Sequence, residues 1–333
     1  MPSLKTELTN IIRQLQCVPT DEPGLIKHHQ DAYLERLCQF LELDLRPATF
    51  IDQGYSHTAA GKAVSPQVAA MCAMEYMRVQ QFQQGILAAI AAHADPAQPL
   101  QLLYAGTGPL GTLVLPLLLL IKPSQVRITL LDIHRDSLDT LKRVLDELDL
   151  GEFIEEIVLA DAITWHSERR FDLIVSETMK AMLEQEPQVR IFANLSRCLK
   201  PGGSLIPQQI RLSATLYHRQ ALQYRALPLP LGPFFTLDRA TAQTIDQNDH
   251  IAGTLSCPPH GLPDRLDLAT DIQIFADIWL TQNQSSLNLI KSLTLHEWHQ
   301  LDSIAFHYQW GREPCFVFQP SGERVHEPAL RPA

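Results

Sequence analysis

Residues 100–111, Leu-Gln-Leu-Leu-Tyr-Ala-Gly-Thr-Gly-Pro-Leu-Gly, constrain the fold of this chain more than any other stretch. Apolar and aromatic residues lead into a cluster of glycines, and a second apolar run follows at 112–121. This order predicts a buried strand, a tight glycine turn and a helix packed on the sheet. Because glycine has no Cβ, the turn lets backbone N–H groups come close to a nucleotide-like ligand. We therefore predict that Gly106 and Gly108 contact a bound ligand.

Strand-like and helix-like segments alternate between residues 100 and 212. The predicted strands are 100–105, 126–131, 154–159, 171–175 and 204–212, and the predicted helices are 109–121, 136–148 and 185–199. This alternation is typical of a parallel, doubly wound sheet, a Rossmann-like α/β fold. The segment Lys-Pro-Gly-Gly at 200–203 ends the last helix.

The segments on either side of this region have different patterns. Apolar stripes within 1–50 predict helices, and 66–93 predicts one long helix that begins at Ser65-Pro66. Between them, the small and polar residues 51–65 predict a loop. This loop is either a flap over a ligand pocket, with Tyr55 or His57 as contacts, or a plain connection between helices.

The pattern changes again after residue 213. Short apolar runs alternate with Gly, Pro, Asn and Asp, which predicts antiparallel β-structure, a barrel or a sandwich. Residues 227–235 hold three prolines and predict a linker or surface crossing. We therefore expect a helical cap at 1–95, a Rossmann-like domain at 96–212 and a β-rich substrate or dimerisation domain at 213–333.

Composition disfavours several classes of partner. The chain has 27 Lys and Arg against 37 Asp and Glu, a net charge of −10, which disfavours nucleic acid as the main partner. The six cysteines lie far apart without CxxC pairs, and His296 and His299 lack the i, i+4 spacing of a helical metal site, so no metal site is predicted. No apolar run is long enough to span a membrane. The expected location is the cytoplasm.

Acidic residues end two of the predicted strands, where ligands bind in a doubly wound fold. Asp132 ends the second strand and is placed to accept hydrogen bonds from two ribose hydroxyls, which fits NAD as well as S-adenosylmethionine. Asp161 ends the third, where its carboxylate can accept from an adenine amine while the Ala162 N–H donates to the ring. The alternatives are that Asp132 caps the following helix and that Asp161 lies in a turn.

The order of these signals resembles the class I S-adenosylmethionine-dependent methyltransferases. The glycine turn, Asp132, Asp161-Ala162, Phe171-Asp172 and Leu-Lys-Pro-Gly-Gly at 199–203 carry this resemblance over 100–212. It decides against NAD and implies S-adenosylmethionine as the cofactor. The family has an acid two positions before its first glycine, and this chain has Tyr104 there. The implied cofactor-binding residues are Tyr104, Gly106, Gly108, Asp132, Asp161, Ala162 and Glu177.

A narrower resemblance begins at Ser176-Glu177. With Glu186 nine positions later and Ile206-Pro207 after the glycines, this part of the chain is similar to the protein arginine methyltransferases. Those enzymes place two glutamates on one hairpin loop and append a barrel to the methyltransferase domain. The resemblance implies Glu177 and Glu186 as catalytic residues, with Glu184 competing for the second position. It also makes a homodimer possible.

Two carboxylates can clamp a guanidinium, fix its orientation and localise its charge on the nitrogens that do not react. We therefore expect a methyltransferase acting on an amine or guanidine of a small molecule or peptide. One alternative is a protein arginine methyltransferase. Another is a cofactor-binding protein with a different transfer reaction or a regulatory role. In a purely structural interpretation, the glutamates only stabilise the start of a helix, where acidic residues are favoured.

Overall fold

The N-terminal part of the chain is helical, as the apolar stripes predict. The computed structural model describes residues 2–46, 54–220, 223–248, 250–258 and 262–324. Helices α1 (Leu4–Cys17) and α2 (Pro23–Leu41) precede a small hairpin of β1 (Ser56–Thr58) and β2 (Gly61–Ala63). The first part of the predicted loop, 51–53, lies outside the described residues. None of the helices in the described ranges is both long and apolar enough to cross a membrane.

The helix predicted over 66–93 is broken in the structure. Helix α3 (Pro66–Met71) is followed by a 3₁₀ turn at Cys72–Met74 and by helix α4 (Tyr76–Ala92). Glu75, between the two, has a non-helical backbone (φ −80°, ψ 72°). Its carboxylate accepts hydrogen bonds from the backbone N–H (3.0 Å) and hydroxyl (2.5 Å) of Ser286. This contact comes from the other end of the chain, so local periodicity could not reveal it.

A parallel sheet of five strands forms the centre of the molecule. Its elements in chain order are β3 (Leu100–Ala105), β4 (Val126–Asp132), α5 (Arg135–Glu147), β5 (Ile154–Leu159), β6 (Phe171–Ser176), α6 (Gln188–Leu195) and β7 (Leu199–Ile206). The strand order is β5-β4-β3-β6-β7, so the direction of winding reverses at β3. In such sheets ligands bind beyond the carboxyl ends of the strands at this reversal. The Rossmann-like prediction is confirmed.

Two predicted elements at the borders of this sheet differ from the structure. The stretch 109–121 forms only a 3₁₀ segment at Leu115–Leu119, because Gly111 has φ 54° and Pro116 cannot donate in a helix. The predicted strand 204–212 is divided: β7 ends at Ile206, and the next strand begins at Gln209 in another sheet. Apolar and polar residues continue to alternate through this corner, so the sequence pattern does not show where one strand ends and the next begins.

The C-terminal part is the predicted antiparallel, strand-rich domain. Its elements are β8 (Gln209–Gln220), β9 (Gln223–Asp238), α7 (Arg239–Asn248), β10 (Ala252–Ser256), β11 (Leu262–Phe275), β12 (Ile278–Leu280), β13 (Lys291–Thr294), β14 (Trp298–Gln309) and β15 (Cys315–Arg324). They form one sheet of order β12-β11-β8-β9, with β13 also on β11, and a second of order β10-β14-β15. The Phe234 ring packs 5.0 Å from Phe306 and 5.4 Å from Phe316, so aromatic side chains join the two sheets.

The predicted linker at 227–235 lies inside β9. Among the described strands β9 pairs only with β8 and is therefore an edge strand. Proline is tolerated on an edge because an outward-facing backbone position needs no N–H donor. Register shifts in the β8–β9 ladder also fall beside these prolines. The proline pattern thus marks an edge strand.

Candidate active site

A cavity of about 620 Å³ opens beyond the carboxyl ends of the central strands. Its volume lies within the ~300–1,000 Å³ typical of small-molecule sites. All eight residues predicted as catalytic or cofactor-binding line it: Tyr104, Gly106, Gly108, Asp132, Asp161, Ala162, Glu177 and Glu186. The predicted donor and acceptor residues therefore share one cavity.

The glycine turn is shaped by contacts within the protein. Gly106 (φ 75°) and Gly108 (φ 58°) both have left-handed backbones. A Cβ on Gly106 would lie 2.4 Å from the methyl group of Thr178, so the loop after β6 requires glycine there. The Gly106 N–H donates to the Leu131 carbonyl (2.9 Å), and the Gly108 N–H donates to Asp132 Oδ2 (2.9 Å). These two N–H groups therefore serve the turn itself.

Asp132 ties the glycine turn to the end of β4. Besides the Gly108 N–H, its Oδ2 accepts from the Thr107 hydroxyl (3.3 Å), and its Oδ1 accepts from the His134 N–H (2.8 Å). The bond to His134 stands just before helix α5, as the capping alternative expects. The carboxylate is buried and lines the cavity. It is therefore a fixed acceptor at the place where a ribose is expected.

The other predicted donor-site residues are also held by local bonds. Asp161 Oδ1 accepts from the Ile163 N–H (2.9 Å), as in the turn alternative. The Tyr104 hydroxyl donates to the Thr107 carbonyl (3.4 Å), and burial raises the pKa of Tyr104 well above its usual range. Tyr104 therefore remains neutral where the family has an acid.

Arg78 of α4 forms a buried ion pair with Glu177 in the cavity wall. The two side chains are only 6% and 7% exposed, and the Arg78 guanidinium donates to Glu177 Oε2. Burial raises the pKa of Glu177, while the guanidinium opposes this change. Glu177 Oε1 is buried without a hydrogen-bond partner in the described part of the chain. One oxygen of this carboxylate is thus held, and the other is available to a ligand.

Sequence reasoning missed Arg78. The available signal was a single charged residue between Met77 and Val79 in a helix whose buried side also carries Phe82 and Ile86. A charged residue is rarely fully buried unless it has a partner. A lone arginine on an apolar helix face could therefore have been identified as half of an ion pair.

The structure distinguishes the two candidates for the second glutamate. Glu186 lines the cavity, and burial together with the charge of Glu177 raises its pKa to about 7. Glu184 instead forms an ion pair with Lys291 of β13 and does not line the cavity. Glu186 is therefore the glutamate that shares the cavity with Glu177.

The loop between the two glutamates has an unusual backbone. Met182 (φ 62°), Leu183 (φ 54°) and Gln185 (φ 63°) are left-handed residues with full side chains. A left-handed residue other than glycine costs roughly 1–2 kcal/mol. Hydrogen bonds to the strand-rich domain hold the loop: the Met182 N–H donates to Thr270 Oγ1 (3.0 Å), the Tyr308 hydroxyl to the Leu183 carbonyl (2.8 Å), and the Gln185 N–H to the Pro314 carbonyl (2.8 Å).

Gln188, at the start of α6, fixes the residues on both sides of Glu177. Its Oε1 accepts from the Thr178 N–H (2.9 Å) and from the Thr178 hydroxyl (2.7 Å). Its amide nitrogen donates to the Ser176 carbonyl (3.1 Å). The side chain is fully buried. No motif pointed to it, because its role depends on how this loop folds back.

The predicted loop at 51–65 contains the β1–β2 hairpin, whose second strand closes one side of the cavity. The Lys62 N–H donates to the Gln185 carbonyl (2.7 Å), and the Ser56 hydroxyl is 3.1 Å from His134 Nε2. Lys62 lines the cavity, whereas Tyr55 and His57 are exposed and lie outside its lining. The hairpin thus covers the site through residues other than the two named as contacts.

Comparisons with known proteins found a family match and a similar solved structure. Residues 103–203 match a protein family described as "Methyltransferase domain". Among solved structures, the Trypanosoma brucei PRMT1 enzyme–prozyme heterotetrameric complex with AdoHcy contains a similar chain. It shares 13% identity at a TM-score of 0.49, over 77% of this chain and 92% of that chain. No curated protein sequence matches significantly.

The family match spans the glycine turn, both strand-end acids and the Lys-Pro-Gly-Gly segment. Of these parts, the glycine turn and the two acids line the cavity. The chain therefore contains a methyltransferase domain, as the sequence predicts, and this match supports S-adenosylmethionine as its cofactor.

Proposed function

We propose that this enzyme transfers a methyl group from S-adenosylmethionine to a cationic nitrogen, a guanidine or an amine, of a small molecule or peptide. The proposal rests on one observation. Glu177 and Glu186 share the cavity with the predicted donor residues, and one buried oxygen of Glu177 has no hydrogen-bond partner among the residues that the structure describes. A buried carboxylate oxygen is stable only when a donor satisfies it, and an N–H of the acceptor is such a donor.

The residues on the donor side fit the cofactor. Asp132 offers carboxylate oxygens for ribose hydroxyls, and Asp161 with Ala162 lies where the adenine is expected. Arg78 lines the same cavity and would hold the carboxylate of the methionine part, since a guanidinium pairs well with carboxylates. When bound, S-adenosylmethionine supplies an electrophilic methyl group on its sulfonium, so the protein must mainly align donor and acceptor.

The acceptor side would orient the nitrogen and hold its charge. A guanidinium is poorly nucleophilic, and two carboxylates that bind its outer N–H groups leave one nitrogen to react. Glu177 is fixed by Arg78 and is suited to orientation. Glu186, with a pKa of about 7, is suited to take the proton that the methylated nitrogen loses. The two acids thus have different tasks because their surroundings differ.

A compact acceptor fits this cavity better than a folded protein surface. The β2 strand covers one side, and Ser286 and Leu287 line another, where Glu75 binds Ser286. A protein arginine methyltransferase remains the first alternative, in which a flexible peptide would enter. A homodimer remains a prediction.

Three matched variants test the proposal. Glu177→Gln and Glu186→Gln remove charges inside the cavity, and Glu184→Gln removes one from the same loop outside it. We expect Glu177→Gln to lower kcat/KM for a guanidine by roughly 10²–10³, as for loss of other preorganised charge-stabilising groups. Its affinity for S-adenosylhomocysteine, measured by calorimetry, should change far less, and Glu184→Gln should behave as the wild type.

The assay follows methyl label from S-adenosylmethionine into guanidines, amines and alcohols. Equal losses in Glu177→Gln and Glu184→Gln would contradict the assignment of the cavity glutamates. Loss of S-adenosylhomocysteine binding in Glu177→Gln would show that Glu177 belongs to the donor site. Transfer to alcohols alone would exclude a cationic acceptor.

A further inference from the structure

Apolar side chains form part of the cavity wall beside the two glutamates. Met179 belongs to the loop between the glutamates, the glutamate loop. Met74 directly precedes Glu75, whose carboxylate accepts two hydrogen bonds from Ser286, and Leu287 follows Ser286. Three of these side chains line the cavity and are called the apolar wall below: Met74, Met179 and Leu287.

The segment that carries Leu287 lies against the glutamate loop. The hydroxyl of Thr270 accepts from the Met182 N–H (3.0 Å), and the carbonyl of Thr270 accepts from the Asn288 side-chain amide (2.7 Å). Both Thr270 and Asn288 are buried. One residue of β11 therefore holds both segments, and Leu287 lines the cavity on the side of the glutamates.

The Cys72 thiol adds a neutral group on this side. Burial raises the pKa of Cys72 to about 11, and the charges of Glu177 and Glu186 act in the same direction, so the thiol lies near both carboxylates. It also lines the cavity. The thiol therefore stays un-ionised at neutral pH, and a free cysteine in this form behaves as a small apolar group.

The two lysines at this end of the cavity already have partners. The Lys180 ammonium donates to Gln185 Oε1 (2.8 Å), and the Lys62 ammonium lies over the Tyr55 ring, 4.3 Å from its centroid. An anionic group on the acceptor would have to compete with these contacts. Any charged group that lay against the apolar wall would lose its water without gaining a partner there, which is costly. A neutral group is therefore favoured next to the reactive nitrogen.

We propose that the acceptor carries its reactive nitrogen on an uncharged, apolar group, as in a short alkylguanidine or alkylamine. The cationic end would lie against Glu177 and Glu186, and the hydrocarbon part against the apolar wall. Methionine is flexible and packs against different shapes, so the form of the hydrocarbon part can vary. This inference rests on the proposed function, because it assumes a cationic nitrogen at the glutamates. It also specifies the substrate class: a compact hydrophobic monocation.

Four guanidines test this inference without any variant. Ethylguanidine and butylguanidine differ in the length of the apolar chain, whereas 4-guanidinobutyrate and agmatine carry a carboxylate and an ammonium at its end. Calorimetry on the enzyme loaded with S-adenosylhomocysteine gives their Kd values. Each buried CH₂ group contributes about fourfold in affinity, so butylguanidine should bind roughly tenfold more tightly than ethylguanidine. Both probes with a second charge should bind at least about tenfold more weakly than butylguanidine.

Variants of Met74 show whether the apolar wall causes this preference. The ratio of the Kd values of ethylguanidine and butylguanidine reports on the chain alone, because the guanidinium is common to both probes. Met74→Gln keeps the length of the side chain but adds a polar amide, and it should lower this ratio at least about threefold. Met74→Leu stays apolar and should keep most of the ratio.

Leu293→Gln is the control outside the cavity, since Leu293 is an exposed residue of β13 that does not line it. Its ratio should match that of the wild type, and urea denaturation checks that each variant is folded. A ratio in folded Met74→Gln that equals the wild-type ratio would overturn the inference.

Two outcomes separate this inference from the proposed function. If 4-guanidinobutyrate or agmatine binds most tightly and is methylated, or if chain length has no effect on the affinity of methylated guanidines, the inference is wrong and the proposed function stands. If no guanidine or amine is methylated, the proposed function fails, and the inference fails with it.

Discussion

The proposed donor side and the proposed acceptor side of this cavity are built in different ways. The residues predicted for the donor side stand at or just beyond the ends of adjacent parallel strands: Gly106, Gly108, Asp132 and Asp161. They are held by hydrogen bonds within this edge of the sheet. On the acceptor side, the glutamate loop is held by residues far away in sequence. Tyr308 lies 125 positions from the carbonyl that it binds, and Arg78 lies 99 positions from Glu177.

This difference shows what kind of information each side depends on. The donor side follows from a strand order and a few turn residues, and so a short motif identifies it. The acceptor side depends on the docking of a hairpin, a broken helix and a strand-rich domain around one loop. Arg78 belongs to both, because it lines the cavity and also holds Glu177. Variants at the two sides should therefore separate cofactor affinity from turnover.

The largest expected effect is at Arg78, where the two sides meet. Arg78→Leu leaves the Glu177 carboxylate buried without its partner, and breaking a buried ion pair costs about 3–5 kcal/mol of unfolding free energy. Affinity for S-adenosylhomocysteine should fall as well. Urea denaturation and calorimetry measure the two losses. A variant that loses only one of them would show that Arg78 serves a single side.

The pH dependence of this variant gives a further check. Without Arg78, burial and the charge of Glu75 both raise the pKa of Glu177 above its value in the unfolded chain. The folded state then binds a proton that the unfolded state has released, so stability falls as pH rises. The loss in Arg78→Leu should therefore be smaller at pH 5 than at pH 8. A loss that does not change with pH would contradict this account.

The next effect should be confined to the donor side. Asp132→Asn removes the charge from a carboxylate that accepts three hydrogen bonds. The same carboxylate would accept from the ribose hydroxyls, and a bond to a charged group contributes ~1.5–3 kcal/mol, so affinity for S-adenosylhomocysteine should fall at least roughly tenfold. The KM of the acceptor at saturating donor should hardly change. A raised acceptor KM with unchanged donor affinity would break the division between the two sides.

The acceptor side should respond to pH through Glu186. Its pKa of about 7 lies above the ordinary value of 4.5, so Glu186 is protonated in much of the enzyme at pH 6. Binding of a cation needs the ionised form, and we expect kcat/KM for a guanidine to rise about tenfold between pH 6 and pH 8. Glu186→Gln should flatten the profile. A flat wild-type profile would contradict this role for Glu186.

The raised pKa of Glu186 also predicts that stability falls as pH rises, whereas activity should increase. Between about pH 4.5 and pH 7 the folded state keeps the proton on Glu186 that the unfolded state loses. Stability from this group is therefore full at low pH and is lost as pH rises through 7. Glu186→Gln should remove that part of the slope in urea denaturation measured across this range.

The smallest effect is expected at Gln188, which positions Glu177 without lining the cavity. Gln188→Leu removes acceptors for the Thr178 N–H and hydroxyl and a donor to the Ser176 carbonyl. We expect kcat to fall roughly fivefold, equivalent to about 1 kcal/mol, with unchanged affinity for S-adenosylhomocysteine. Gln188→Glu keeps both acceptor contacts and should restore part of the rate. Equal rates in the two variants would show that Gln188 only supports the fold.

The sequence was sufficient for the parallel sheet and the donor side because both depend on local patterns. Strand periodicity and strand-end acids predicted where Asp132 and Asp161 would lie, and the structure places both in the cavity wall. Errors arose where distant contacts override local pattern. The break at Glu75 follows from its bonds to Ser286, and the prolines of β9 are tolerated because that strand is at an edge.

On the acceptor side, spacing predicted Glu177 and Glu186 through a resemblance, and it could not choose between Glu184 and Glu186. That choice depends on Lys291, which takes Glu184 out of the cavity. Arg78 and Gln188 were missed because each acts on a residue in another element. The sequence gives the identity of such residues, but it does not show which distant residue each of them binds.

The left-handed residues of the glutamate loop have a consequence for protein engineering. Glycine adopts the backbone of the exposed Gln185 at little energetic cost, so a search for heat-resistant variants would find glycine favoured at that position. Met182 and Leu183 are buried, and replacing either by glycine would leave a cavity that costs more than the backbone strain it relieves. Selection for heat resistance can therefore relax the backbone of this loop at only one of these three residues.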